Sequence, residues 1–81
     1  TVTTISFELK GASHIKISII NLLGQEVCTI INKDLQPGEY AIHWDGRDTN
    51  GTQVTEGIYF CQMESDLQLV QVGKIIFKPM L

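Results

Sequence analysis

Apolar and polar side chains alternate with a period of two along this chain, in short runs broken by Gly, Pro, Asn and Asp. A period of two sends successive side chains to opposite faces of an extended strand, whereas a helical face repeats about every 3.6 residues. No segment shows convincing helical period, so the pattern predicts antiparallel sheet. Thr3 to Leu9 points Ile5, Phe7 and Leu9 one way and Thr4, Ser6 and Glu8 the other. His14 to Ile20 repeats the device, with Ile15, Ile17 and Ile19 inward and Lys16 and Ser18 outward. A turn with an apolar plug, Asn21-Leu22-Leu23-Gly24, leads into a third strand over Gln25 to Ile31.

The next turn has a mechanism. In Asp34-Leu35-Gln36-Pro37-Gly38, Pro37 presets its own φ and Gly38 accepts the positive φ of a type II turn. Tyr40, Ile42 and Trp44 then alternate with Ala41 and His43 in a fourth strand, which buries the single Trp. From Asp45 to Gly57 the chain is polar and rich in Gly and Asn, a long loop holding one short strand around Val54. Gly57 to Glu64 is apolar on both faces, as a central strand would be, and Gln68 to Phe77 closes the sheet. About seven strands, with turns every 8–12 residues, favour an immunoglobulin-like antiparallel β-sandwich.

The 81 residues (1–81) make one domain, which hides only about 60–65% of the surface its unfolded chain exposes. Apolar residues at 43% and charged ones at 19% are too apolar a mix for disorder. Six basic against nine acidic residues leave a net charge of −3, with no basic face to neutralise phosphates, so nucleic acid is not an expected partner. No apolar run reaches the ~20 residues of a spanning helix, so no membrane insertion is expected either. Because Val2-Thr3-Thr4-Ile5 is already strand-like, a preceding portion carrying any signal peptide is expected upstream.

Four blocks in order carry a family resemblance: Asn21-Leu22-Leu23-Gly24-Gln25-Glu26-Val27, Leu35-Gln36-Pro37-Gly38-Glu39-Tyr40, Trp44-Asp45-Gly46-Arg47-Asp48 with Asn50-Gly51 and Val54, and Gly57-Ile58-Tyr59. The string resembles the C-terminal sorting domains of type IX secretion and the related immunoglobulin-like domains named after the flagellar hook-cap protein. The resemblance runs from Thr4 to Lys74. It implies an immunoglobulin-like sandwich forming the C-terminal module of a larger exported bacterial protein, where it is read by an outer-membrane translocon and often cleaved. The ending Lys78-Pro79-Met80-Leu81 suits a C-terminus, while the Asn-Pro-rich lead common in the family is missing.

The loop Asp45-Gly46-Arg47-Asp48-Thr49-Asn50-Gly51 gathers hard oxygen donors, and Ca²⁺ takes six to eight of these. Laid on the EF-hand pattern, Asp48 and Asn50 fit, but Gly46 and Gly57 fall where the first ligand and the bidentate Glu belong. Two readings follow: a Ca²⁺ site at Asp45, Asp48 and Asn50, or a turn in which Asp and Asn bond their own backbone. No other cofactor is expected. Trp44 and Tyr40 read as core anchors rather than a sugar-stacking platform. Tyr59 lies two residues before Cys61, the spacing of a tyrosine corner. Cys28 and Cys61 match neither a zinc site nor a CxxC motif; they are either buried free thiols or a disulfide across neighbouring strands. Gly24, Gly38 and Gly51 take structural turn positions.

Catalysis is not expected. His14, His43, scattered carboxylates and two thiols form no Ser-His-Asp or Cys-His arrangement that the strand map would converge. A sandwich this small also lacks room for a pocket of the ~300 Å³ that substrates prefer.

Three roles remain. The first is a sorting and anchoring module recognised through Gly57, Tyr59 and Lys74, where Lys74 is either the exposed recognition charge or an edge-strand gatekeeper. The second is a structural subunit of an extracellular filament or surface assembly joined by strand edges, as a homo-oligomer or with other proteins. The third is a carbohydrate-binding or adhesive accessory domain of a secreted hydrolase. All three place the chain outside the cell or on its surface, after passage through the periplasm, with protein partners in the first two.

Overall fold

The computed structural model describes residues 3–66 and 68–78, so residues 1–2, 67 and 79–81, with the sequence readings that fall on them, lie outside it. Six strands follow in chain order: β1 (Thr3–Leu9), β2 (Ser13–Ile20), β3 (Glu26–Leu35), β4 (Gly38–Trp44), β5 (Gly57–Ser65) and β6 (Gln68–Phe77). They form two antiparallel sheets, a pair in the order β1-β4 and a four-stranded sheet in the order β3-β2-β5-β6. The chain is all-β, as its alternation predicts. The count is six strands rather than seven, because the loop after Trp44 contributes only a single bridge, Arg47 to Gln53.

Ile15, Ile17 and Ile19 hold the centre. All three have no exposed surface, and each such side chain contributes about 1.5–3 kcal/mol by leaving water. β-branched residues suit this position, since their stiff χ1 packs well on a pleated surface. On β5, Tyr59, Cys61 and Met63 face the same core, joined by Ile75 and Phe77 from β6. Ile5, Phe7, Leu9, Tyr40 and Ile42 of the smaller sheet cover them from above. Ser18 lies between Ile17 and Ile19 on the outer face, yet it is buried beneath its neighbours, where its hydroxyl bonds Glu26.

Three expectations change. β3 runs through Asp34 to Leu35 rather than ending at Ile31, and it bulges twice against β2, between Ile17 and Ser18 and between Ile19 and Ile20. The chain then crosses between sheets at Gln36-Pro37, and Gly38 opens β4 at a φ of 152° instead of the ~80° of a type II turn. Leu22 and Leu23 do not plug their turn either: they are 67% and 82% exposed. Asn21 organises that turn from below, its Oδ1 accepting N–H bonds from Leu23 and Gln25, and Gly24 takes a φ of 80°.

An aromatic cluster closes one end of the core. Trp44 meets Tyr59 edge-on at 5.4 Å and Phe77 at 5.5 Å, joining β4, β5 and β6. Gly46 is packed beneath it at a φ of 78°, where an added Cβ would overlap the Phe77 ring. Gly51 has a similar φ of 82° but open space around it. The two glycines therefore separate backbone strain from steric overlap. Gly51→Ala should cost about 1–2 kcal/mol for the left-handed backbone alone. Gly46→Ala adds overpacking to that strain and should cost about 2–5 kcal/mol in denaturant unfolding.

Candidate functional site

The loop after Trp44 is a self-bonded turn. Asp48 Oδ1 accepts N–H bonds from Asn50 (2.9 Å) and Thr52 (3.0 Å), while Asp45 Oδ1 accepts the Arg47 N–H at 3.1 Å. Arg47 Nη1 donates to the Gly51 carbonyl, and the Trp44 indole N–H donates to the Arg47 carbonyl. One carboxylate oxygen of Asp45 and one of Asp48 thus serve the turn itself. Among the described residues no three His, Cys, Asp or Glu side chains come together as a metal site. Thr49 also fastens the loop to β3, since its N–H and hydroxyl both donate to the Val27 carbonyl.

The disulfide reading is corrected by the strand order. Cys28 on β3 and Cys61 on β5 both sit opposite Ile19, but on either side of β2. Two strand spacings make about 9–10 Å, beyond the ~7 Å limit for bridged Cα atoms. Burial pushes both thiols above the ordinary value, with Asp45 and Glu26 adding to the effect at Cys28. They are free and poorly nucleophilic.

Trp44 is 2% exposed and cannot stack on a ligand. Tyr40 lies flat on Phe7, with ring centroids 5.3 Å apart, and its hydroxyl donates to the Gln36 carbonyl. The Tyr59 hydroxyl donates to the Thr55 carbonyl at 2.7 Å, tying β5 to the loop before it. Gly57 begins β5 at a φ of 155°. Of the three residues expected to carry recognition, only Lys74 presents an exposed side chain; Tyr59 is buried and Gly57 half-buried.

Lys74 belongs to an exposed apolar stretch on β6, separate from the exposed Leu22 and Leu23 of the turn before β3. β6 turns Ile75 and Phe77 inward and leaves Leu69, Val72 and Ile76 between 51% and 66% exposed. Across the ladder Ile76 pairs with Ile58, Lys74 with Phe60, Val72 with Gln62 and Leu69 with Glu64, so the outer face is apolar around Ile58, Phe60 and Ile76 and mixed towards Leu69. Within its sheet β6 is hydrogen-bonded to β5 alone, and among the described residues no strand pairs with its other edge, whereas the loop at Thr49 fastens onto the opposite edge strand, β3. Sequence reading put Lys74 on an edge strand but missed its apolar outer face, although a signal existed: Ile75-Ile76-Phe77 breaks the alternation and must place an apolar residue outward.

One titratable cluster stands apart. The His14 ring lies 2.6 Å from Asn32 Oδ1 and 2.7 Å from Asp34 Oδ1, and its backbone N–H donates to Asp66 Oδ1. With an oxygen at each ring nitrogen the doubly protonated imidazolium is favoured. Hydrogen bonds to Asn32 and then Asp34 accordingly raise its pKa above 6.5. At Glu26 burial opposes ionisation, but hydroxyls of Ser18 and Thr29, with Lys16 at 3.5 Å, outweigh it and hold the carboxyl low.

A family model described as the FlgD Ig-like domain matches residues 1–68. Among solved structures, FlgD from P. aeruginosa is similar with a TM-score of 0.65 at 20% identity, over 94% of this chain and 60% of that one. The chain therefore spans about 60% of that protein's length, and the likeness concerns the fold. No curated protein matches the chain.

Two outcomes follow from this geometry. Both thiols should take up an alkylating reagent after denaturation without reductant, read as two added labels by mass. His14 has a folded pKa above its unfolded value. Its stabilisation is therefore fully present below 6.5 and lost as pH rises through the folded pKa. His14→Gln should lower the unfolding midpoint near pH 5.5 and leave it nearly unchanged near pH 8.5, with denaturant titration at each pH as the check.

Proposed function

This chain belongs to the FlgD Ig-like domain family, and we propose that it is a non-catalytic protein-docking module in an exported bacterial assembly. The bare edge and exposed apolar face of β6 carry this reading. An unpaired strand edge beside apolar surface is the feature proteins use to add a neighbour's strand, and natural folds otherwise cover or charge it. Here only Lys74 interrupts Leu69, Val72 and Ile76. A scaffold role of the hook-assembly kind, outside the cell or on its surface, fits both the family and this face.

Non-catalytic character rests on the side chains available. Both thiols are held protonated, His14 is engaged at both ring nitrogens, and the hydroxyls of Tyr40 and Tyr59 donate to backbone carbonyls.

A second reading keeps the strand and changes the partner. In a sorting domain of the type IX kind, export machinery would read the folded sandwich, and Lys74, exposed on the outer face between Val72 and Ile76, offers the charge for it.

A photo-crosslinking residue at position 76 of the chain, expressed in its own cells, should capture a discrete protein partner. The same residue at position 39, on exposed β4, should not. Equal capture at both positions, or none at 76, would falsify the docking role. Export of a fused reporter that survives Ile76→Lys but fails with Lys74→Glu would move the sorting reading to first place.

A further inference from the structure

Gly73 occupies an inward position in β6, in line with Ile75 and Phe77 and opposite Cys61. A side chain is expected there. Yet no left-handed φ demands glycine, and a Cβ added at Gly73 would meet nothing within 4 Å. Glycine inside a strand weakens it and often marks where another chain approaches closely. The missing side chain opens a groove of about 200 Å³ between β1 and β6, with Ile5, Cys61, Met63 and Ile75 among its lining. That volume is below the ~300–1,000 Å³ of small-molecule sites and suits individual side chains. The groove runs past Thr3–Phe7 on one side and the stretch from Gln71 to Ile75 on the other. Five residues of strand span about 16 Å.

Charge narrows the occupant. Of the residues that line the groove only Lys74 is charged, and no carboxylate lines it. We propose that the groove receives an extended strand from a different subunit, which pairs with the bare edge of β6, lowers an aliphatic side chain over Gly73 and sets a carboxylate beside Lys74. The alternation of a strand permits both at once: residues pointing inward reach the groove, and their neighbours lie on the outer face with Lys74. The family match ends at residue 68, so the wall that carries Gly73 and Lys74 belongs to the part of the chain beyond it. This inference rests on the docking reading above and names the partner's chemistry.

The test uses a capped seven-residue synthetic peptide of alternating isoleucine and threonine, with aspartate at the central outward position. It is titrated to about 1 mM, the weak-binding range, into the isotope-labelled chain while amide resonances are followed. Shifts should concentrate at residues 3–7 and 71–75, with new exchange protection along β6. Exchanging the peptide's aspartate for lysine should weaken binding roughly two- to fivefold, the worth of an exposed charge pair, and Lys74→Glu should invert that preference. Gly73→Val sets its Cβ in open space on a strand that favours β-branched residues, so the variant should keep or raise its thermal midpoint and lose about tenfold in affinity, as when an anchor is shut out. Lys74→Gln should remove the charge preference and retain binding. Absence of binding at 1 mM, unchanged affinity in Gly73→Val, shifts centred on β3, or self-pairing through β6 that the peptide does not displace would each overturn the proposal. If crosslinking at position 76 succeeds while the peptide fails, the docking role stands and the groove does not.

Discussion

Everything in this fold leans on one row of side chains. Ile15, Ile17 and Ile19 have no exposed surface. A strand that buries its inner face this completely must have partners on both edges and a cover above. β3 and β5 supply the edges, and the β1-β4 pair supplies the cover. With 81 residues there is little surplus apolar surface, so the placement of a few residues decides how well that cover seats.

The cover is fastened at one end more firmly than along its sides. Trp44, Tyr59 and Phe77 come from three strands in two sheets and meet at 5.4 to 6.5 Å, a spacing at which tilted and edge-on rings attract. Gly46 lets the chain pass beneath Phe77, and Asp45, Arg47 and Asp48 hold the turn that makes the passage possible. The polar residues that look like metal ligands in the sequence are thereby bound to their own backbone. The two cysteines are kept apart by β2.

At the other margin the molecule is unfinished. β6 ends the larger sheet with one bare edge, exposed aliphatic residues outward and a glycine inward. A sandwich needs none of these for its own stability, and an unprotected edge is a hazard that natural sequences remove unless it is used. β3, the opposite edge strand of this sheet, is bulged twice and joined by the loop at Thr49, whereas the β5–β6 ladder shifts register once, between Met63 and Glu64.

Alternation over Thr3 to Leu9, His14 to Ile20 and Tyr40 to Trp44 was enough by itself to determine strands, their buried faces and the all-β class, because side-chain direction in a strand follows local geometry. The turn at Asn21 to Gly24 was legible for the same local reason, and so was a break at Pro37, though not that the chain changes sheets there. Which strands neighbour one another is a long-range matter on which local pattern is silent. Only the tertiary structure could therefore place β2 between Cys28 and Cys61, bring Phe77 over Gly46, and leave Gly73 facing an empty groove. Each depends on contacts between residues tens of positions apart, whose energy no short window of sequence contains.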